Sequence, residues 1–288
     1  MRRALQIGFL VLAPVTVFAA MVGVDRAFGG LGRGQDYVIR LELPPAAGEI
    51  GLPKVEGPLD PSRPLVVIDA GHGGRDPGAG TGTLKEKALT LALAQALRDR
   101  LIKMGGVRVA MTRDDDSFLV LEERASIARR LKADLFISIH ADSAPSSDAR
   151  GASVYTLSER GSSQTAALLA EAENRADVIN GVALSGQSNE VSAILVDLSQ
   201  RETAALSEDF ARLILREGSG RLNFRDGGIQ SAAFIVLKSA DLPSVLFETG
   251  YISSAEDAAR LNSSEGRRSF AEVTARAISV YFARHTGG

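Results

Sequence analysis

The sequence predicts an α/β fold, a mixed, mostly parallel sheet of about six strands flanked by helices in the phosphorylase/hydrolase-like manner. Three observations predict it. After Pro64, short β-rich runs alternate with longer stretches of helical periodicity. Most of the short runs are continuously apolar, which suits strands covered on both faces. The 288 residues are 45% hydrophobic, enough to build the core of one large domain once a leader and a linker are set aside.

Taken in order, Arg2 and Arg3 precede an uncharged, largely apolar run from Ala4 to Val24, broken at Pro14. This is the pattern of an export signal over residues 1–24. Val17 and Ala19 stand at positions −3 and −1 of a cleavage site and favour a cleaved signal peptide; the alternative is an uncleaved anchor, since the run is long enough to span a bilayer. Either reading exports the remainder, to a Gram-negative-like periplasm. Residues 25–64 read as a linker, with seven glycines and six prolines between Phe28 and Pro64 and one short strand at Tyr37–Leu43.

The remaining domain, 65–288, offers strands at Leu65–Asp69, Val107–Thr112, Leu135–His140, Ala152–Leu157, Ala233–Leu237 and Val245–Glu248. Helices fill the gaps at Lys85–Met104, Val120–Leu131, Ser163–Val178, Gln200–Glu217 and Glu265–Phe282. Leu89, Leu93, Leu97 and Leu101 mark the buried stripe of the first helix, which Gly105 and Gly106 stop.

Composition narrows the chemistry. With 33 basic against 35 acidic residues, there is no electrostatic footprint for nucleic acid or an anionic membrane surface. The chain has no cysteine, which excludes disulfides, thiol catalysis and thiolate metal sites and leaves His, Asp and Glu as ligands.

Three strands end in a polar residue that an apolar strand has no structural reason to carry. VVIDAGHGG reaches His72, LFISIHAD reaches His140 and SVLFETG reaches Glu248. The carboxyl ends of strands form the crevice of an open α/β sheet, so these three can converge. Two histidines and a carboxylate form a catalytic zinc set with one position left for water, and either Glu86 or Glu248 can supply the carboxylate. Glu86 alone also reads as an acidic residue favoured by a helix N-terminus. His285, in the polar tail, reads as a bystander.

From Leu65 to Phe282 the chain resembles the zinc N-acetylmuramoyl-L-alanine amidases of bacterial cell-wall turnover and division. The resemblance rests on VVIDAGHGGRDPGA, LKEKALTLALAQAL, MTRDDDSFLVLEERASIA, LFISIHADS and LPSVLFETGYIS, in that order. It implies that His72, Glu86 and His140 hold Zn2+ and that Glu248 is the catalytic carboxylate, acting on peptidoglycan. Asp142 is then either a further ligand or a group bonded to one.

Residues 158–231 exceed a simple connection and suggest an inserted regulatory segment. The runs AENRADVINGV and LVDLSQRET resemble division-associated members of the family, in which an inserted helix covers the site until an adaptor protein relieves the block. Glu173 is the candidate inhibitory carboxylate; the bland alternative is a solvated helix face with Glu171 and Glu173 both exposed. The stretch before Pro64 is too short and too rich in Gly and Pro for a separate wall-targeting domain. Two other readings stay open on the metal set alone, a zinc peptidoglycan endopeptidase or carboxypeptidase, and a catalytically silent wall-binding regulator.

Overall fold

A computed structural model describes residues 51–81, 83–143, 149–175, 178–179, 182–183, 193–239 and 241–285, together with Val22. The expected short strand at 37–43, nearly all of the expected leader and most of the expected linker lie outside the described residues. The chain divides into two compact units, Met1–Gly51 and Leu52–Gly288, and the second carries every element below.

The strands are β1 (Leu65–Ala70), β2 (Gly80–Thr81), β3 (Leu84–Lys85), β4 (Arg108–Met111), β5 (Leu135–His140), β6 (Ala152–Leu157), β7 (Val178–Ile179), β8 (Val182–Ala183), β9 (Phe224–Ala232) and β10 (Ser244–Glu248). The helices are α1 (Glu86–Met104), α2 (Leu121–Arg130), α3 (Gln164–Asn174), α4 (Ala193–Gly218), α5 (Ala255–Asn262) and α6 (Ser264–His285). Six strands form the main sheet in the order β4-β1-β5-β10-β6-β9. β1 runs parallel to β4 and β5, and β5 to β10; β6 is antiparallel to β10, with β9 parallel to β6. This is the mixed, mostly parallel sheet expected.

Alternation along the strands builds two cores. Val66, Ile68, Ile137, Ile139, Val245 and Phe247 face one side, against Leu89, Leu93 and Leu97 of α1, Phe210 of α4 and Phe270 of α6. Each fully buried leucine contributes about 1.5–3 kcal/mol. Val67, Phe136, Leu246 and Tyr155 face the other side, against Leu121 of α2, Leu169 of α3, Phe234 and Val236. At Gly105, φ is 73° and the amide donates to Leu101 O, the left-handed stop that its sequence position anticipates.

Two expectations are corrected and one helix is added. Ala233–Leu237 is not a strand; Ile235–Leu237 forms a short 3-10 turn, and the edge strand is the preceding β9. The run is apolar because Phe234, Val236 and Leu237 are buried in the second core, whereas β9, at a sheet edge, tolerates polar residues and a bulge. The helix expected to reach Val178 ends at Asn174, whose side chain bonds Ala233 O and Ile235 N instead of leaving the helix free to continue; Val178 pairs in the small β7–β8 hairpin. The last helix is preceded by α5, capped by Ser254 on Asp257 N. Of residues 158–231, α4 and β9 belong to the layers themselves. Within the expected linker, Glu56 forms an antiparallel bridge with Val109, covering the exposed edge of β4.

Candidate metal centre

β1, β5 and β10 end side by side, with Ala70 opposite Ile139 and Glu248 opposite His140. His72 lies just beyond β1 with φ at 62°, a left-handed conformation that the surroundings must enforce. Two buried arginines do so. Arg113 donates to Ala70 O and Gly71 O, each at 2.8 Å. Arg124 donates to Ala70 O at 2.8 Å, His72 O at 2.8 Å and Asp69 Oδ1 at 2.9 Å. Three successive carbonyls that leave the sheet ladder thereby find donors. Asp69 is completed by Thr112 and Ser138 hydroxyls, each at 2.6 Å. Its carboxyl stays below the usual range because Arg124 and the two hydroxyls outweigh burial. Glycine is required at 71, where a Cβ would sit 2.4 Å from His140 Cε1.

Glu86 opens α1 and is fully buried. Its two oxygens accept from the amides of Ala79 and Ala141, each at 2.8 Å. Gly78 has φ at 63°, and a Cβ there would meet Glu86 Oε2 at 2.7 Å, so the glycine lets the loop close over the carboxylate. The fourth side chain arrives from α3. Glu173 Oε2 lies 3.2 Å from His140 Nδ1 and 3.5 Å from His72 Nε2. Glu86 lies 3.1 Å from His72 Nε2 and 3.3 Å from His140 Nδ1. One ligand atom from each of His72, Glu86, His140 and Glu173 falls within 4.8 Å of the others. Glu173 is 6% exposed, whereas its neighbour Glu171 is exposed and faces Arg175.

The donor set fits a divalent cation. His72 Nε2, His140 Nδ1 and Glu173 Oε2 are buried with no hydrogen-bond partner, an expensive arrangement unless a cation is their partner. His72 Nδ1 lies 2.7 Å from Asp76 Oδ2, which fixes the ring so that Nε2 faces the cluster. Burial lowers the His72 pKa, but Glu86 and Glu173 overcome it and raise the ring to about 10. His140 is likewise raised, by Glu173 and Glu86 against burial.

Glu248 lies outside the four-residue cluster. Its Oε2 accepts from Asp142 N at 3.1 Å, while Oε1 is buried without a partner. Burial, with Asp142, Glu173 and Glu86, raises its pKa well above the ordinary value despite His140. Asp142 is also raised, to about 7, by burial first and then by Glu173 and Glu86; its carboxylate is not among the cluster's ligand atoms. His285 bonds Tyr281 O within α6, away from the site. The space between His72, His140, Arg124 and Glu173 is about 10 Å³, the scale of one water or ion and too small for a substrate group. Sequence reasoning passed over Asp69, Asp76, Arg113 and Arg124. Their signal was a charged residue inside the quoted motifs, clearest for Asp69 within the apolar VVIDA.

The family model for N-acetylmuramoyl-L-alanine amidase matches residues 66–280. N-acetylmuramoyl-L-alanine amidase AmiC of Neisseria meningitidis is 39% identical over 222 residues, 76% of this chain and 53% of that one. N-acetylmuramoyl-L-alanine amidase AmiA of Escherichia coli K12 is 39% identical over 220 residues, 76% of each chain. This chain thus spans about half the length of the AmiC relative and three quarters of the AmiA relative. Among solved structures, N-acetylmuramoyl-L-alanine amidase AmiC2 of Nostoc punctiforme matches with a TM-score of 0.54 at 32% identity, covering 77% of this chain and 98% of that one.

Proposed function

This chain belongs to the N-acetylmuramoyl-L-alanine amidase family, and we propose that it hydrolyses the amide between the lactyl group of N-acetylmuramic acid and L-alanine in peptidoglycan. Zinc is the proposed ion, held by His72, Glu86 and His140. The observation that carries this reading is the pair of unpartnered imidazole nitrogens turned towards Glu86, with the free oxygen of Glu248 on the neighbouring strand end.

A zinc ion held by these ligands supplies Lewis acidity, polarising the amide carbonyl and acidifying water. The chain's own residues do the rest. Asp76 holds the His72 ring in one tautomer, and the Asp142 amide holds one oxygen of Glu248. The other oxygen takes the proton of the attacking water as its oxygen bonds to the carbonyl carbon. When the C–N bond breaks, Glu248 passes that proton to the L-alanine nitrogen, which leaves as an amine. A carboxyl with a raised pKa suits both transfers.

Glu173 is read as a brake. It occupies the remaining side of the cluster, and an adaptor protein that withdraws α3 would free that position. Export to the periplasm, by signal peptide or anchor, and a role in cell division complete the proposal; they rest on the N-terminal run and on the motif resemblance.

Digestion of purified peptidoglycan tests the central reading. Intact stem peptides with a free L-alanine amino group are expected with zinc and not after chelation. Peptides cut internally would favour an endopeptidase or carboxypeptidase. Glu248→Gln is expected to keep zinc and to lose about 10²- to 10⁴-fold in rate; wild-type hydrolysis by that variant would sink the assignment.

A further inference from the structure

Past Glu248, the same sheet edge carries polar groups that neither the metal cluster nor the proton transfer uses. Glu248 pairs with Ser153 on β6. On the next strand, Phe224 pairs with Ala152 and Ile229 with Val154, so the four residues Arg225 to Gly228 stand opposite Ser153 alone. A bulge of this kind re-aims a side chain, commonly beside an active site. Here it carries Arg225 to Tyr251: the guanidinium donates to the Tyr251 hydroxyl and lies 5.2 Å from the ring centroid.

Arg225 is half-buried, yet among the described residues no carboxylate pairs with it. Ser153 Oγ and Tyr155 Oη, on the strand between Arg225 and Glu248, are buried and lie close to one another, without a well-formed hydrogen bond to any other group. Tyr155 is near enough to Glu248 and Arg225 for both charges to act on its hydroxyl. A half-buried guanidinium without an anion, next to two buried hydroxyls that meet only each other, is suited to a carboxylate ligand. The direction also fits the reaction, because the amine departs on the Glu248 side and the rest of the peptide must extend past it.

We propose that Arg225, with Ser153 and Tyr155, forms a subsite for a carboxylate of the stem peptide, at the acidic residue that follows L-alanine. This rests on the amidase reading and assigns its substrate class: acidic stems over stems whose corresponding carboxylate is amidated. Arg225 also places a positive charge on the Glu248 side of a site where the carboxylates of Glu86, Glu173, Asp142 and Glu248 gather.

The test offers the zinc-loaded full chain, with the Glu173→Ala chain in parallel, two peptidoglycan preparations that differ in having free D-glutamate or its α-amide in the stem. The acidic preparation is expected to be cleaved with kcat/KM about ten- to a hundredfold higher, through KM. Arg225→Gln should bring that ratio to about one at unchanged zinc content, and Arg225→Lys should keep part of it. Tyr251→Phe, which removes only the hydroxyl bonded to Arg225, should lower the ratio without abolishing it. A ratio near one for the parent chains, or one that survives in Arg225→Gln, overturns the subsite and leaves the amidase reading standing. Release of no stem peptide from either preparation overturns the amidase reading, and the subsite with it.

Discussion

Arg124 shows how a side chain far from any reacting atom can determine a site. It is 2% exposed and ties Asp69, Ala70 and His72 together, so its loss leaves a buried carboxylate unpaired and the His72 turn unsupported. Arg124→Met is expected to destabilise the metal-free protein by about 3–5 kcal/mol in urea unfolding and to weaken zinc binding in a direct titration. The Asp69 carboxyl is depressed below 3.8 in the folded state, so its contribution is present in full above that pH and is lost as pH falls through the lower folded value. The stability gap between wild type and Asp69→Asn should therefore narrow below pH 3.8, which denaturation across pH would measure. His72, His140 and Glu248 were legible in the sequence because a polar residue ending an apolar strand has few structural reasons to be there. Arg124 was not, because an arginine on an amphipathic helix ordinarily reads as solvated; only the fold brings the Ala70 and His72 carbonyls and the Asp69 carboxylate to it.

The tie between α3 and the segment after β9 is a pair of hydrogen bonds from one amide side chain, Asn174 to Ala233 O and from Ile235 N. Because Glu173 is the adjacent residue, this tie fixes how far it enters the cluster. Asn174→Ala is expected to raise basal dye release from labelled peptidoglycan about tenfold, the effect of loosening the closed arrangement by ~1.4 kcal/mol. Glu173→Ala should raise it at least as far; no increase in either variant would count against the brake. The same region shows why elements here were harder to read than in the parallel half. β9 contains Arg225, Asp226, Gly227 and Gly228, and neither a period of two nor an apolar run survives such a bulge. The apolar run beside it, Phe234 to Leu237, looked like the strand because burial alone produces the same composition.

The fold class was legible as a whole because it depends on repetition: β1, β5 and β10 are each buried at every position, and leucines recur along α1. What repetition does not reveal is where one unit begins. Leu52–Gly288 forms its own compact unit, and its first residues include the Glu56 bridge to Val109. A chain starting at Leu52 is expected to melt cooperatively within about 2 °C of the full chain, a shift of about 0.5–1 kcal/mol at most for this size. A start at Pro64 removes that bridge and exposes the edge of β4, so it should melt lower and aggregate more readily, as light scattering on heating would show.

The reversed direction of β6 has an electrostatic consequence. In a wholly parallel sheet, helices that follow strands begin at the carboxyl edge and turn their amide ends towards it, which favours anions. Because β6 runs the other way, α3 starts near Gln230 at the opposite edge and arrives at the histidines with its last turn, bringing the carbonyl end of its dipole and Glu173 together. A helix carries partial negative charge at that end. On the proposed reading, that end would tighten the hold on a cation and repel an acidic peptide, so withdrawing α3 would exchange some metal affinity for access by substrate.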